Sequence, residues 1–195
     1  MVPLYCEGLA LSASKDETRR ELNSFLAEVE RKAFRMARIA LRHDDDALDA
    51  VQDAMLQLAR RYADRPASEW RPLFYRILEN RIRDLQRRRM VRGKVMALLP
   101  WRRDEEDEQP DPVAEAPDHA PGPAEQVEGK AMLVKLEAAL ATLPARQREA
   151  FLLRNLEGLD VAETAAAMGC SDGSVKTHYF RALQALKAQL GEFHA

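Results

Sequence analysis

Residues 159–190 read LDVAETAAAMGCSDGSVKTHYFRALQALKAQL, and this stretch limits the folds open to the chain more than any other. Val161, Thr164, Ala165 and Met168 recur at spacings of three and one, so they share one face of a short helix. Gly169 then supplies the backbone freedom that a helix C-terminus often needs. Ser171 suits the N-cap of a second helix. In that helix Val175, Tyr179, Ala182, Leu183, Leu186 and Leu190 form an apolar stripe. Another face offers Ser174, Thr177, His178 and Arg181, with Lys176 on the flank. A short helix, a glycine turn and a second helix with a polar, basic face make the helix-turn-helix pattern, whose second helix enters the DNA major groove. An ordinary antiparallel helix pair would share the apolar spacing. The short first helix and its run of Ala162, Ala165, Ala166 and Ala167 favour the closer helix-turn-helix packing.

Composition narrows the class. Hydrophobic residues make up 46% of the 195 residues, enough for one or two cores, and helical periodicity dominates. The fold class is therefore all-α. A net charge of −2 does not by itself point to nucleic acid, so the distribution of charge has to carry that argument. The two cysteines, Cys6 and Cys170, lie far apart without metal-ligand spacing, which suits reduced thiols in a cytoplasmic protein. No apolar run approaches the roughly 18 residues of a membrane span. The N-terminal residues lack a basic start and a long apolar core, so they read as a tail and not as a signal peptide.

Residues 21–41 carry Leu22, Phe25, Leu26, Val29, Ala33, Met36 and Ala40 at helical spacing. Asp44, Asp45 and Asp46 follow. Adjacent carboxylates diverge and no partner ligand is evident, so Asp46 is expected to cap the next helix and no metal or other cofactor is expected. Residues 47–62 form that helix. Leu48, Val51, Met55, Leu58 and Tyr62 are assigned to its core stripe, while Asp49, Gln52, Asp53 and Leu56 lie opposite. A leucine within an acidic face fits a protein partner or a solvated surface equally well.

A third helix is expected over residues 70–89, with Pro72 tolerated in its first turn. Trp70, Phe74, Ile77, Leu78, Ile82 and Leu85 face inward. Arg76, Asn80, Arg83 and Arg87 form an outer stripe, with Arg88 beside it. Residues 71–94 hold nine basic and two acidic side chains. A helix this basic, with an amide at its centre, suits a phosphate backbone plus a base edge. Tyr62, Trp70 and Tyr75 are candidates for stacking on unpaired bases, although Trp70 fits the core better.

Residues 100–129 contain six of the ten prolines and ten acidic residues against two arginines. Such a segment buries too little apolar surface to order itself and reads as a flexible linker. Placed directly after the basic helix, it could fold back on Arg76, Arg83, Arg87 and Arg88 and compete with phosphate; a merely solubilising spacer explains the composition as well. Helical pattern resumes over residues 130–142 and again after Pro144. The parts are a tail (1–20), a helical domain (21–94), a linker (95–129) and a second helical domain with the helix-turn-helix (130–195).

Taken together, these residues resemble the extracytoplasmic-function (ECF) sigma factors of bacterial RNA polymerase. Asp46, Ala47, Asp49, Val51, Gln52, Asp53, Leu56 and Leu58 match the polymerase-binding helix of the family's region two. Tyr75, Arg76, Ile77, Asn80, Asp84 and Arg87 match its promoter-melting helix. Leu143, Pro144, Arg148, Phe151, Gly158, Leu159, Ala165, Gly169, Val175, Lys176, Arg181 and Ala182 match region four. Three motifs in the right order across two domains are more specific than any one alone. Leu73, Thr164 and His178 depart from the family's usual Trp, Ile and Arg.

The resemblance implies a transcription initiation factor without catalytic activity, acting in the cytoplasm with core RNA polymerase and promoter DNA. An anti-sigma factor is a usual further partner. Asp49, Gln52, Asp53 and Leu56 would dock on polymerase. Arg76, Asn80, Arg83, Arg87 and Arg88 would read and open the downstream promoter element, with a flipped base received near Tyr62, Trp70 and Tyr75. Ser174, Lys176, Thr177, His178 and Arg181 would read the upstream element as duplex. A stand-alone helix-turn-helix regulator would explain residues 159–190, but not the acidic outer face or the second basic helix. A metal-dependent nuclease built on residues 44–46 is the more remote alternative.

Overall fold

The computed structural model describes the backbone over residues 5–97 and 123–191, and side chains over 16–91 and 132–191. The described residues form the helices α1 (Tyr5–Leu41), α2 (Asp44–Arg61), α3 (Ala67–Ala97), α4 (Pro123–Thr142), α5 (Ala145–Asn155), α6 (Val161–Met168) and α7 (Asp172–Leu190). The middle of the acidic segment, residues 98–122, lies outside the described residues.

The first three helices pack as a bundle. Val29, Ala33, Met36 and Ala37 of α1 meet Ala47, Ala50, Val51, Ala54 and Leu58 of α2, and Phe74, Leu78 and Ile82 of α3. Phe25 lies 6.0 Å from the Trp70 ring and meets Phe74 edge-on at 6.1 Å. Each large apolar side chain buried in this way stabilises the fold by roughly 1.5–3 kcal/mol. The end of α1 is closed from α3: Gln86 donates to the Ala40 carbonyl at 2.9 Å and Arg89 to that of Leu41 at 2.7 Å, satisfying acceptors the helix cannot. Arg42 then turns the chain with φ of 54°, a left-handed conformation unusual for a residue with a Cβ.

Several elements differ from the sequence expectation. α1 already runs from Tyr5, and α4 begins at Pro123, inside the stretch expected to be linker. His43, not Asp46, caps α2: the Asp46 amide donates to its Nδ1 at 3.3 Å. Asp44, Asp45 and Asp46 occupy the first turn, where the helix dipole favours carboxylates, and Asp46 pairs with Arg89. Because α3 starts at Ala67, Pro72 lies inside it. The Ser68 carbonyl loses its helical donor there, but Ser68 is exposed. Leu48 is 44% exposed, because the alanines at 47, 50 and 54 form the close-packed face instead. Leu183 of α7 is likewise exposed.

The second half is built around the turn motif. Asp160 and Glu163 form a reciprocal capping box at the start of α6, with hydrogen bonds of 2.7 and 2.8 Å. Gly169 ends the helix in the left-handed region, at φ 63° and ψ 43°. The Ser171 hydroxyl accepts the Ser174 amide at 3.3 Å and starts α7. Leu143, Leu152, Leu153, Leu159, Met168, Val175, Ala182 and Leu186 are buried between α4, α5, α6 and α7. Thr164, within α6, is fully buried, and its hydroxyl donates to the Asp160 carbonyl at 2.6 Å.

The two halves meet. α6 lies along α3, and α4 touches α1. The Arg38 guanidinium of α1 donates to both carboxylate oxygens of Glu137 in α4, at 2.8 and 3.0 Å.

Candidate nucleic-acid interface

The outer face of α7 is held in place from within. Val175, Ala182 and Leu186 are buried, the Tyr179 ring stacks on Phe151 at 6.3 Å, and its hydroxyl donates to Asn155 at 3.2 Å. This anchoring turns Lys176, Thr177 and Arg181 to the exposed side, with Ser174 and His178 half-buried at its edges. The Ser174 hydroxyl is 3.0 Å from that of Ser171, and the Thr177 hydroxyl donates to the Gly173 carbonyl at 2.9 Å. Phe180 shares this face and is 62% exposed. The signal for it in the sequence is its helical phase, set by its position between Thr177 and Arg181.

On α3, Arg76, Asn80, Arg87 and Arg88 are exposed and Arg83 is half-buried. Arg83 donates to the Asn80 side-chain oxygen at 3.3 Å, and Arg87 to Asp84 at 3.1 Å. Trp70 is buried, its indole N–H donating to the Tyr62 carbonyl at 3.2 Å and so tying down the connection between α2 and α3. Tyr62 is half-buried beside it, and Tyr75 is fully buried. The three aromatic candidates therefore do not share one open surface in this arrangement.

Asp49, Gln52, Asp53 and Leu56 are all exposed on α2. Leu48, one turn before Gln52, joins them, so the face carries two exposed leucines. Asp53 lies 3.7 Å from the Arg81 guanidinium of α3.

Buried acids line the junction of the halves. Glu79 of α3 and Glu149 of α5 are almost inaccessible. Burial pushes the Glu79 carboxyl up to about 8, and the nearby Glu149 adds to the rise against Arg83, Arg148 and Arg146. Burial also raises Glu149, against the pull of Arg83 and Arg146. Glu157 is raised by burial too, opposed by Tyr75, Lys32 and Arg71. The Cys170 thiol, half-buried at the turn, is pushed up by burial.

Among the described residues, no helix is long and apolar enough to cross a membrane. Residues 133–186, from α4 into α7, match the family model for sigma-70, region 4. The chain is 30% identical to the ECF RNA polymerase sigma factor SigM of Mycobacterium tuberculosis, over 96% of this chain and 92% of that protein. It is 33% identical to the ECF RNA polymerase sigma factor ShbA of Streptomyces griseus, over 85% of each. Among solved structures it resembles the sigma factor RpoE of Bartonella quintana, in complex with the anti-sigma factor NepR. That match has a TM-score of 0.58 at 25% identity and covers 86% of this chain and 96% of that one. CnrH, in complex with the cytosolic domain of CnrY, shares the fold with a TM-score of 0.56 at 23% identity, over 92% and 93% of the two chains. With a helix-turn-helix in the matched segment and a relative aligned over nearly its whole length, the chain belongs to the ECF RNA polymerase sigma factors, which direct transcription initiation.

Proposed function

We propose that the protein joins core RNA polymerase through the outer face of α2 and selects promoters with two separate readers. The observation that carries this reading is the arrangement of three exposed faces on one chain: acidic and leucine-bearing on α2, basic on α3, and polar and basic on α7. On α2, Leu48 and Leu56 supply apolar area among Asp49, Gln52 and Asp53, whose charge would steer a basic partner. On α3, Arg76, Arg83, Arg87 and Arg88 would neutralise phosphates while Asn80 meets a base edge in the opened strand. On α7, Ser174, Lys176, Thr177, His178 and Arg181 would enter the major groove of the upstream duplex. Exposed Phe180 suits apolar contact with a thymine methyl.

The protein acts in the cytoplasm, without catalysis of its own, and an anti-sigma factor would hold it inactive until released. RpoE, the similar solved sigma factor, is bound to such a partner. Polymerase pull-down combined with gel shift tests the reading. Asp53→Lys should lose polymerase while keeping its helix content by circular dichroism. Specific DNA binding should need polymerase. Strong specific binding by the free factor would favour a stand-alone regulator instead.

A further inference from the structure

We infer that Arg81 of α3 is a positioning residue for polymerase docking, setting the direction of the Asp53 carboxylate on the outer face of α2. This role deepens the assignment of α2 as the docking helix and rests on it. By sequence Arg81 is one of nine basic side chains over residues 71–94, where phosphate contact is the ordinary role. The packing gives it another neighbour. Its Nε lies 3.7 Å from Oδ2 of Asp53, across the contact between α3 and α2. Arg89, eight positions further along α3, pairs with Asp46, seven positions earlier on α2, and donates to the Leu41 carbonyl at 2.7 Å. Seven and eight positions span about 10.5 and 12 Å of helix, so the two pairs are rungs between antiparallel helices. The buried Ala50, Ala54 and Leu58 of α2 and Leu78 and Ile82 of α3 fix the register of those rungs.

The Arg81–Asp53 pair is poorly suited to stabilising the free fold. The Arg81 Nε is buried yet has no hydrogen-bond partner, because 3.7 Å is beyond hydrogen-bond length. The Asp53 side chain is 56% exposed, and an ion pair that open to water contributes little to folding. A buried donor without an acceptor is unfavourable, and a movement of under about 1 Å would bring Oδ2 to the usual 2.9 Å or so. Docking excludes water from the outer face of α2 and strengthens the attraction between the two charges, which favours that closure. With Oδ2 held from the α3 side, Oδ1 is left for a basic group of polymerase. An aspartate whose direction is set beforehand loses less freedom on binding, so the gain in affinity is one of pre-organisation.

Charge steering alone predicts the opposite sign, which gives the test its force. Removing Arg81 makes the surroundings of α2 more acidic, and a basic partner should then bind more tightly. Arg81→Met keeps an apolar stem and removes both the donor and the charge. The full chain, labelled at its N-terminal amine, is titrated with purified core polymerase and followed by fluorescence anisotropy. Circular dichroism and urea unfolding check the fold of each variant. Asp53→Ala tests the docking assignment by itself and should weaken binding several-fold. Arg81→Met should weaken binding several-fold with an unchanged urea midpoint. In the Asp53→Ala background it should have no further effect, because Arg81 then has nothing to position. Arg81→Lys keeps a cation beside Asp53 and should recover part of the loss. Tighter or unchanged binding by Arg81→Met, with Asp53→Ala weakened, would overturn the positioning role and leave docking on α2 in place. Equal losses in both backgrounds would overturn it by making Arg81 a direct contact. A loss that only follows lost helix content would overturn it in favour of a structural brace. If Asp53→Ala binds polymerase like the parent chain, docking through Asp53 fails and the positioning role falls with it.

Discussion

Arg83 of α3 and Glu149 of α5 are 66 positions apart in the chain, yet they meet at 3.3 Å across the junction of the two halves. The pair places a candidate DNA-contacting guanidinium against a buried carboxylate.

A pH dependence follows. Glu79, Glu149 and Glu157 are raised chiefly by burial, so the folded protein binds protons more tightly than the unfolded chain, in which they meet water. Their contribution to stability is fully present below the ordinary carboxylate value of 4.5 and is lost as pH rises, for Glu79 through about 8. The urea unfolding midpoint should therefore fall from pH 6 to pH 9. A midpoint that rises over this range would contradict the assignment.

The buried threonine of the turn motif is predicted to be replaceable. The Thr164 hydroxyl donates to the Asp160 carbonyl, which also accepts the Thr164 amide at 3.0 Å. Thr164→Val removes a buried donor and leaves that carbonyl satisfied, so stability should change by less than about 1 kcal/mol in urea unfolding. A loss above about 2 kcal/mol would show that the hydroxyl has a further role.

Gly169 should be less tolerant. Its φ of 63° lies where a Cβ is disfavoured, although nothing stands closer than 4.0 Å to the added atom. Gly169→Ala should cost about 1–2 kcal/mol from backbone conformation alone. Urea unfolding checks this, and an unchanged midpoint would contradict it.

Phe180→Ala should leave stability within about 0.5 kcal/mol, because the ring is mostly exposed. With polymerase bound, it should relax sequence preference at one T·A position of the upstream element, by up to about 1–3 kcal/mol. Selection from a randomised duplex library measures this. Unaltered preference would remove Phe180 from the reading face.

Much of the turn motif was legible because it is local. Gly169, Ser171 and the three-four spacing of α7 carry their consequences within a few residues. The inner and outer faces of α3 were legible for the same reason. The junction was not: Arg83 and Glu149 belong to separate periodic segments, and nothing in either pattern says that they meet. Tyr75 has the spacing of a residue beside a basic stripe, but it is fully buried, its ring meeting that of Phe74 edge-on at 5.1 Å. Leu48 has the spacing of a core residue but is exposed, because close helix approach in α2 uses the small side chains of Ala47, Ala50 and Ala54.

The central claim is polymerase-dependent promoter selection. Its most direct test is run-off transcription with purified core polymerase on genomic fragments of the source bacterium, read by sequencing the 5′ ends. The account predicts that the protein adds a discrete set of start sites sharing an upstream and a downstream element. Arg181→Ala should weaken recognition of the upstream element. Asn80→Ala should leave polymerase bound, but without the permanganate reactivity of thymines in opened DNA. A transcript pattern identical with and without the protein would contradict the account.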